Sequence, residues 1–169
     1  TGLNAMRMKS VGNHPRRRRL LENSIGIGIV TRKSWNDYFM GIAEAVAERS
    51  TCDRAKVGSV FVRDKSILST GYNGSISGLP HCTELGHDLD KHDHCVRTIH
   101  SEISAIVQAA KNGVRLNKSV LYVTTCCCWH CLKAVVNVGC REIYFKNSYK
   151  NDRKMFEACL QLGIRLVKL

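Results

Sequence analysis

Three cysteines stand in succession at Cys126, Cys127 and Cys128, and a fourth follows at Cys131 after a tryptophan and a histidine. Thiols crowded in this way suit a metal ion, a redox pair or a disulfide knot. Adjacent cysteines cannot all bridge one another without strain. The chain holds nine cysteines, an odd number, whereas small secreted scaffolds use even sets. A reduced, cytoplasmic setting and a metal site are therefore expected. Cys128 and Cys131 form a C-x-x-C where a strand gives way to a helix. That junction brings both sulfurs to one side of the first turn, and the positive end of the helix dipole favours thiolates.

Two sulfurs need at least one further ligand, and His100 in "HSE" offers it at the head of the preceding expected helix. Successive helices covering such a sheet start at the same edge, so one ion can meet His100, Cys128 and Cys131. Three protein ligands leave the fourth tetrahedral position of zinc for water, whose pKa falls towards about 7. Glu102, two residues from the histidine, is placed to take that water's proton. A lone C-x-x-C would suit a thioredoxin-like redox pair equally well. Followed in order from H-x-E, it matches the signature of zinc nucleobase deaminases, with Glu102 as proton shuttle rather than ligand. The signature's proline is replaced by Cys127. Cys127 at the same spacing would pair with His130, so Cys128 and Cys131 are chosen; Cys126, Cys140 and Cys159 are read as free thiols.

The elements that must position these residues are legible from Ser34 onward. Ser34 caps an expected helix whose apolar positions Trp35, Phe39, Ile42 and Val46 recur at helical spacing. "VGSVFVRD" and "SILSTGYNG" flank a charged turn and predict a hairpin. From Ser75 to Thr98 runs a long loop rich in metal-binding side chains, and loops of this length inside compact domains are usually functional or disordered. After it come a helix (Ser101 to Asn112), the strand "SVLYVTT", a helix (Trp129 to Val138), the strand "EIYF", a helix (Asp152 to Gly163) and the strand "IRLVKL". This order predicts an α/β, three-layer α-β-α fold with a central five-stranded mixed sheet covered by helices on both faces.

Charge divides the chain differently. Residues 1–33 hold eight Lys or Arg against Glu22 alone, +7 of the net +12, and show no sustained period. They are expected to be a disordered basic extension, and residues 34–169 the catalytic domain. No apolar run approaches the roughly 18 residues of a membrane span, so no membrane partner is expected, and no nucleic-acid partner beyond what the basic arm could contact.

The segments "SWNDYFMGIAEAVAERSTC", "VGSVFVRDKSILSTGYNGSISGLPHC", "HCVRTIHSEISAIVQAAKNG" and "LYVTTCCCWHCLKAVVNVGCREIYF" resemble the deoxycytidylate deaminases of the cytidine deaminase superfamily. Transfer-RNA adenosine deaminases share the zinc motifs but reach H-x-E more directly from the hairpin. The resemblance implies zinc-dependent hydrolysis of dCMP to dUMP and ammonia, supplying the precursor of dTMP. It further implies that Asn73 hydrogen-bonds the deoxyribose, that Tyr149 lies over the substrate, and that Arg54 and Lys56 sit near the phosphate. A homo-oligomer, often a hexamer, follows from it too, with dCTP or dTTP and Mg2+ bound around Gly71, Asn73, Gly74 and Gly78. Cys52, Cys82, His87, His94 and Cys95 are candidate ligands of a second, structural Zn2+, and spacing does not choose among them. The other class of reading is a non-catalytic nucleic-acid or competence-associated module on the same fold.

Overall fold

The computed structural model describes residues 31–149 and 153–169, so the basic extension expected over 1–33 lies almost wholly outside the described residues. In chain order the elements are α1 (Trp35–Ala47), β1 (Gly58–Arg63), β2 (Ser66–Tyr72), β3 (Gly74–Ser75), α2 (Cys82–Leu85), β4 (Thr98–Ile99), α3 (Ser101–Lys111), β5 (Val120–Thr125), α4 (Trp129–Asn137), β6 (Glu142–Asn147), α5 (Arg153–Gln161) and β7 (Arg165–Lys168). The start expected for the last helix, Asp152, is outside the described residues.

β1 and β2 form the predicted hairpin. Its turn residues Asp64 and Lys65 have φ of 50° and 61°, the two left-handed positions of a turn whose twist matches the flanking strands. β5 joins β1 antiparallel, and β6 and β7 follow in parallel, giving the order β2-β1-β5-β6-β7. Parallel neighbours require crossovers, and α4 and α5 are those crossovers. Alternation along the strands sends Phe61, Leu121, Val123, Ile143 and Phe145 to one face, where Ala105, Ala109, Leu132, Val135 and Met155 of α3, α4 and α5 meet them. Val60, Val62, Tyr122 and Tyr144 point the other way, onto Phe39, Met40 and Ala43 of α1. Three layers result, with a mixed five-stranded sheet in the middle.

Two glycines set how closely the helices lie on this sheet. A Cβ on Gly58 would stand 2.0 Å from the Ala43 carbonyl oxygen, and one on Gly71 would stand 2.4 Å from the Ser101 oxygen and 2.2 Å from the Ala105 nitrogen. Gly71 thereby seats the first turn of α3. Ser34 caps α1 as expected, accepting the Asp37 N–H at 3.1 Å. The buried stripe of α1, however, is Phe39, Met40, Ala43 and Ala47, while Trp35 is exposed and Ile42 and Val46 are only partly covered. Close approach at Gly58 selects the small alanines for the contact, so size overrides hydrophobicity here.

β3 and β4 form a two-residue ribbon, Gly74 opposite Ile99 and Ser75 opposite Thr98. It ties the "GYNG" segment to the residue just before His100. Among the described residues no helix is long and apolar enough to cross a membrane.

Candidate active site

His100 is the N-cap of α3 and Cys128 the N-cap of α4, both in extended conformation. Cys131 follows in the first turn of α4. The two helices start at one edge of the sheet, and their N-termini bring the His100 Nδ1 to 3.5 Å from the Cys128 sulfur and 3.3 Å from the Cys131 sulfur. Bond lengths of a tetrahedral zinc place N and S ligands about 3.6 Å apart. The donor set therefore fits zinc, and all three atoms lie within 4.8 Å of one another. The Cys131 thiol holds the Cys128 thiolate by a hydrogen bond, which with His100 lowers the Cys128 pKa to about 3; Cys131 is correspondingly raised. The same Cys128 contact raises His100.

Glu102 stands in the first turn of α3 and is 3% exposed. Burial raises its pKa above the ordinary carboxylate range, against the opposing pull of His100 and of hydrogen bonds. The Ser101 hydroxyl donates to Glu102 Oε2 at 3.1 Å and lies 2.7 Å from the Ser59 hydroxyl of β1. Cys127, the residue in place of the signature's proline, is buried in the core with its thiol against Cys126, whereas Cys128 faces the site.

These groups open into a cavity of about 270 Å³ that also presents Asn73, Arg54, Thr98, Thr125, Cys126 and Tyr149. Asn73 is fastened on both sides of its amide: Oδ1 accepts the Val57 N–H at 2.8 Å and Nδ2 donates to the Ala55 carbonyl at 2.7 Å. It thus shapes the wall that carries Arg54. Lys56 is exposed and not part of the lining. Gly71 is sealed beneath α3, Gly74 is buried beside Thr51, and Gly78, at φ 89°, is exposed.

A second cluster contributes Cys52 and Cys95 to the same lining. Cys52, Cys82, His87 and Cys95 place their ligand atoms within 4.8 Å of one another. Cys82 and Cys95 sulfurs are 3.7 Å apart and His87 Nδ1 is 3.8 Å from the Cys52 sulfur; tetrahedral zinc sets sulfur pairs about 3.8 Å apart. Burial raises Cys82 to about 12. Cys95, although burial acts to raise it, is brought to about 7 by hydrogen bonds from His87 and from the backbone of Arg97 and Asp88. Of the five candidates read from the sequence, His94 is not in this group: its Nδ1 lies 3.8 Å from the Asp90 carboxylate. The backbone turn around Asp90, whose Oδ1 accepts the N–H groups of His92 and His94, directs that ring away. Sequence reading missed Asp53, whose carboxylate is 3.2 Å from His87 Nε2. A carboxylate on the far nitrogen is the usual means of orienting a metal-ligating histidine.

The family model described as the cytidine and deoxycytidylate deaminase zinc-binding region matches residues 33–147. The chain belongs to this family. Among proteins it resembles, ComE operon protein 2 of Bacillus subtilis is 43% identical over 133 residues, covering 79% of this chain and 70% of that protein. The deoxycytidylate deaminase of Saccharomyces cerevisiae is 35% identical over 138 residues, covering 79% of this deaminase-family chain but 44% of the yeast enzyme. A solved structure, the dCMP deaminase of cyanophage S-TIM5 in complex with dCMP and dUMP, superposes with a TM-score of 0.71 at 28% identity, covering 82% and 99% of the two chains. The cytidine-deaminase architecture of the sheet and helices is shared with it.

Proposed function

We propose that residues 34–169 form a zinc-dependent deaminase that converts dCMP and water to dUMP and ammonia, the product being a precursor of dTMP. The observation that carries this reading is a buried carboxyl, Glu102, near a His-Cys-Cys triangle of zinc dimensions, with Glu102, His100 and Cys128 lining a cavity of about 270 Å³. Pockets for small ligands begin near 300 Å³. Curated relatives named deoxycytidylate deaminase and the dCMP-bound phage structure support that substrate.

His100, Cys128 and Cys131 would hold the ion. When bound, zinc supplies Lewis acidity that brings a water's pKa towards about 7. Glu102 takes the proton of the attacking water and passes it to N3 of the cytosine as the water oxygen adds to C4. It then carries a second proton to the amino group, which leaves as ammonia. A carboxyl whose proton affinity is raised by burial is suited to both halves of this exchange. Asn73 frames the sugar and base, Tyr149 covers the substrate, and Arg54 takes the phosphate.

Cys52, Cys82, His87 and Cys95 would hold a second, structural zinc. Control by dCTP or dTTP with Mg2+ belongs to the same proposal, and with Gly71 sealed its contacts would come from residues 74–78. A homo-oligomer, a hexamer by resemblance, and a cytoplasmic location complete it. The presence of Glu102 with the complete ligand triangle favours turnover over a non-catalytic module.

Ammonia release from dCMP, dCTP, deoxycytidine and transfer RNA, measured on zinc-loaded protein, tests the reading. Release from dCMP is expected to dominate. Ammonia from none of the four, or from transfer RNA alone, would overturn it.

A further inference from the structure

Arg54 and Asp93 both line the cavity and are paired with each other. The contact is a complete fork. Arg54 Nη1 donates to Asp93 Oδ1 at 3.1 Å, and Nη2 donates to Oδ2 at 2.9 Å and to the Asp93 carbonyl at 3.0 Å. Asp93 reaches this position with φ of 61°, in the left-handed region. That conformation is disfavoured for residues other than glycine, with Asn and Asp the best tolerated. Its neighbours are fixed on both sides, because the N–H groups of His92 and His94 are held by Asp90 and Cys95 belongs to the four-residue cluster. The carboxylate is therefore presented to the guanidinium by a tethered loop tip.

A guanidinium fork binds a carboxylate and a phosphate through the same pair of N–H groups. We infer that Asp93 is a tethered rival of the substrate's 5′-phosphate for Arg54, so that it sets how strongly this protein prefers a phosphorylated nucleotide. The inference rests on the reading of Arg54 as the phosphate-binding residue. Asp93 acts through Arg54 and touches no reacting atom, which makes it a positioning residue. To take the same fork, an incoming phosphate displaces the carboxylate. Both side chains meet solvent, at 35% and 72% exposure, and exposed pairs are weak, so the rivalry lowers phosphate affinity by about two- to fivefold.

Inorganic phosphate is titrated calorimetrically into the zinc-loaded wild type, Asp93→Asn, Asp93→Gly, Arg54→Gln and the double variant Arg54→Gln/Asp93→Asn, which is compared with Arg54→Gln. Both single replacements of Asp93 suit a left-handed backbone, so a fault in either one alone does not decide the result. Phosphate is expected to bind about two- to fivefold more tightly to each single Asp93 variant than to wild type, and the gain is expected to vanish in the double variant. In steady state the same gain should appear as a lower KM for dCMP rather than a higher kcat, with deoxycytidine showing no such fall. Unchanged or weaker phosphate binding in both single Asp93 variants would overturn the inference, as would a gain that survives loss of Arg54. The titration needs no turnover. A wild type that fails to deaminate dCMP therefore counts against the proposed function without bearing on Asp93.

Discussion

At the scale of residues, Glu102 and the ligand triangle separate chemistry from binding. Replacing Glu102 by Ala removes the proposed proton carrier and leaves His100, Cys128 and Cys131 in place. The variant should retain its zinc, measured by elemental analysis, while ammonia release falls by about 10²- to 10⁴-fold. The register of the cysteines makes a second prediction. Cys127 is buried in the core and Cys128 faces the site. Cys128→Ser should lower the zinc content by one ion per chain, whereas Cys127→Ala should leave it unchanged at a modest cost in stability. Equal zinc loss from the two variants would show that the register has slipped. The triangle was legible in the sequence because helix starts on one sheet edge converge, and three residues at two such starts leave little freedom. His94 and His87 could not be told apart, since a loop has no period and the turn at Asp90 that redirects His94 is a matter of backbone hydrogen bonds. Asp53 carried one signal, its place beside Cys52, too common to mean anything alone.

Elements position these residues through close backbone contacts. Gly71 admits α3 so tightly that an added methyl group would overlap the backbone of Ser101 and Ala105. Gly71→Ala should cost about 1–3 kcal/mol or more in urea unfolding. It should also lower activity, because the turn that moves is the one bearing Glu102. The order of helices and strands was readable from β-branched runs and helical periods. The buried stripe of α1 was not, because alanines score low in hydrophobic periodicity although they are what fits over Gly58. The ribbon of β3 and β4 has two residues per strand, too short for any alternation to register. The insertion loop depends on Asp90, whose pKa is lowered by the backbone N–H groups of His94 and His92. A depressed carboxylate stabilises the fold above its unfolded value near 4, and that contribution is lost as pH falls through its lower folded value. Hydrogen exchange at the His92 and His94 amides should therefore lose its protection as pH drops below about 4, beyond the intrinsic slowing of exchange in acid. Asp90→Asn should show weakened protection already at neutral pH.

For the whole molecule, two clusters of metal-binding dimensions both contribute residues to one cavity, and each would turn binding energy into folding energy. Chelation should lower the thermal midpoint by about 10 °C or more, and a midpoint indifferent to chelator would count against both ions. The cavity borrows Cys52 and Cys95 from one cluster and Cys128 from the other. Peroxide or a mercurial would thus strike the surface proposed to receive the nucleotide. Ageing of this protein without a reductant should begin as a loss of fit for its nucleotide, well before the sheet and its helices come apart.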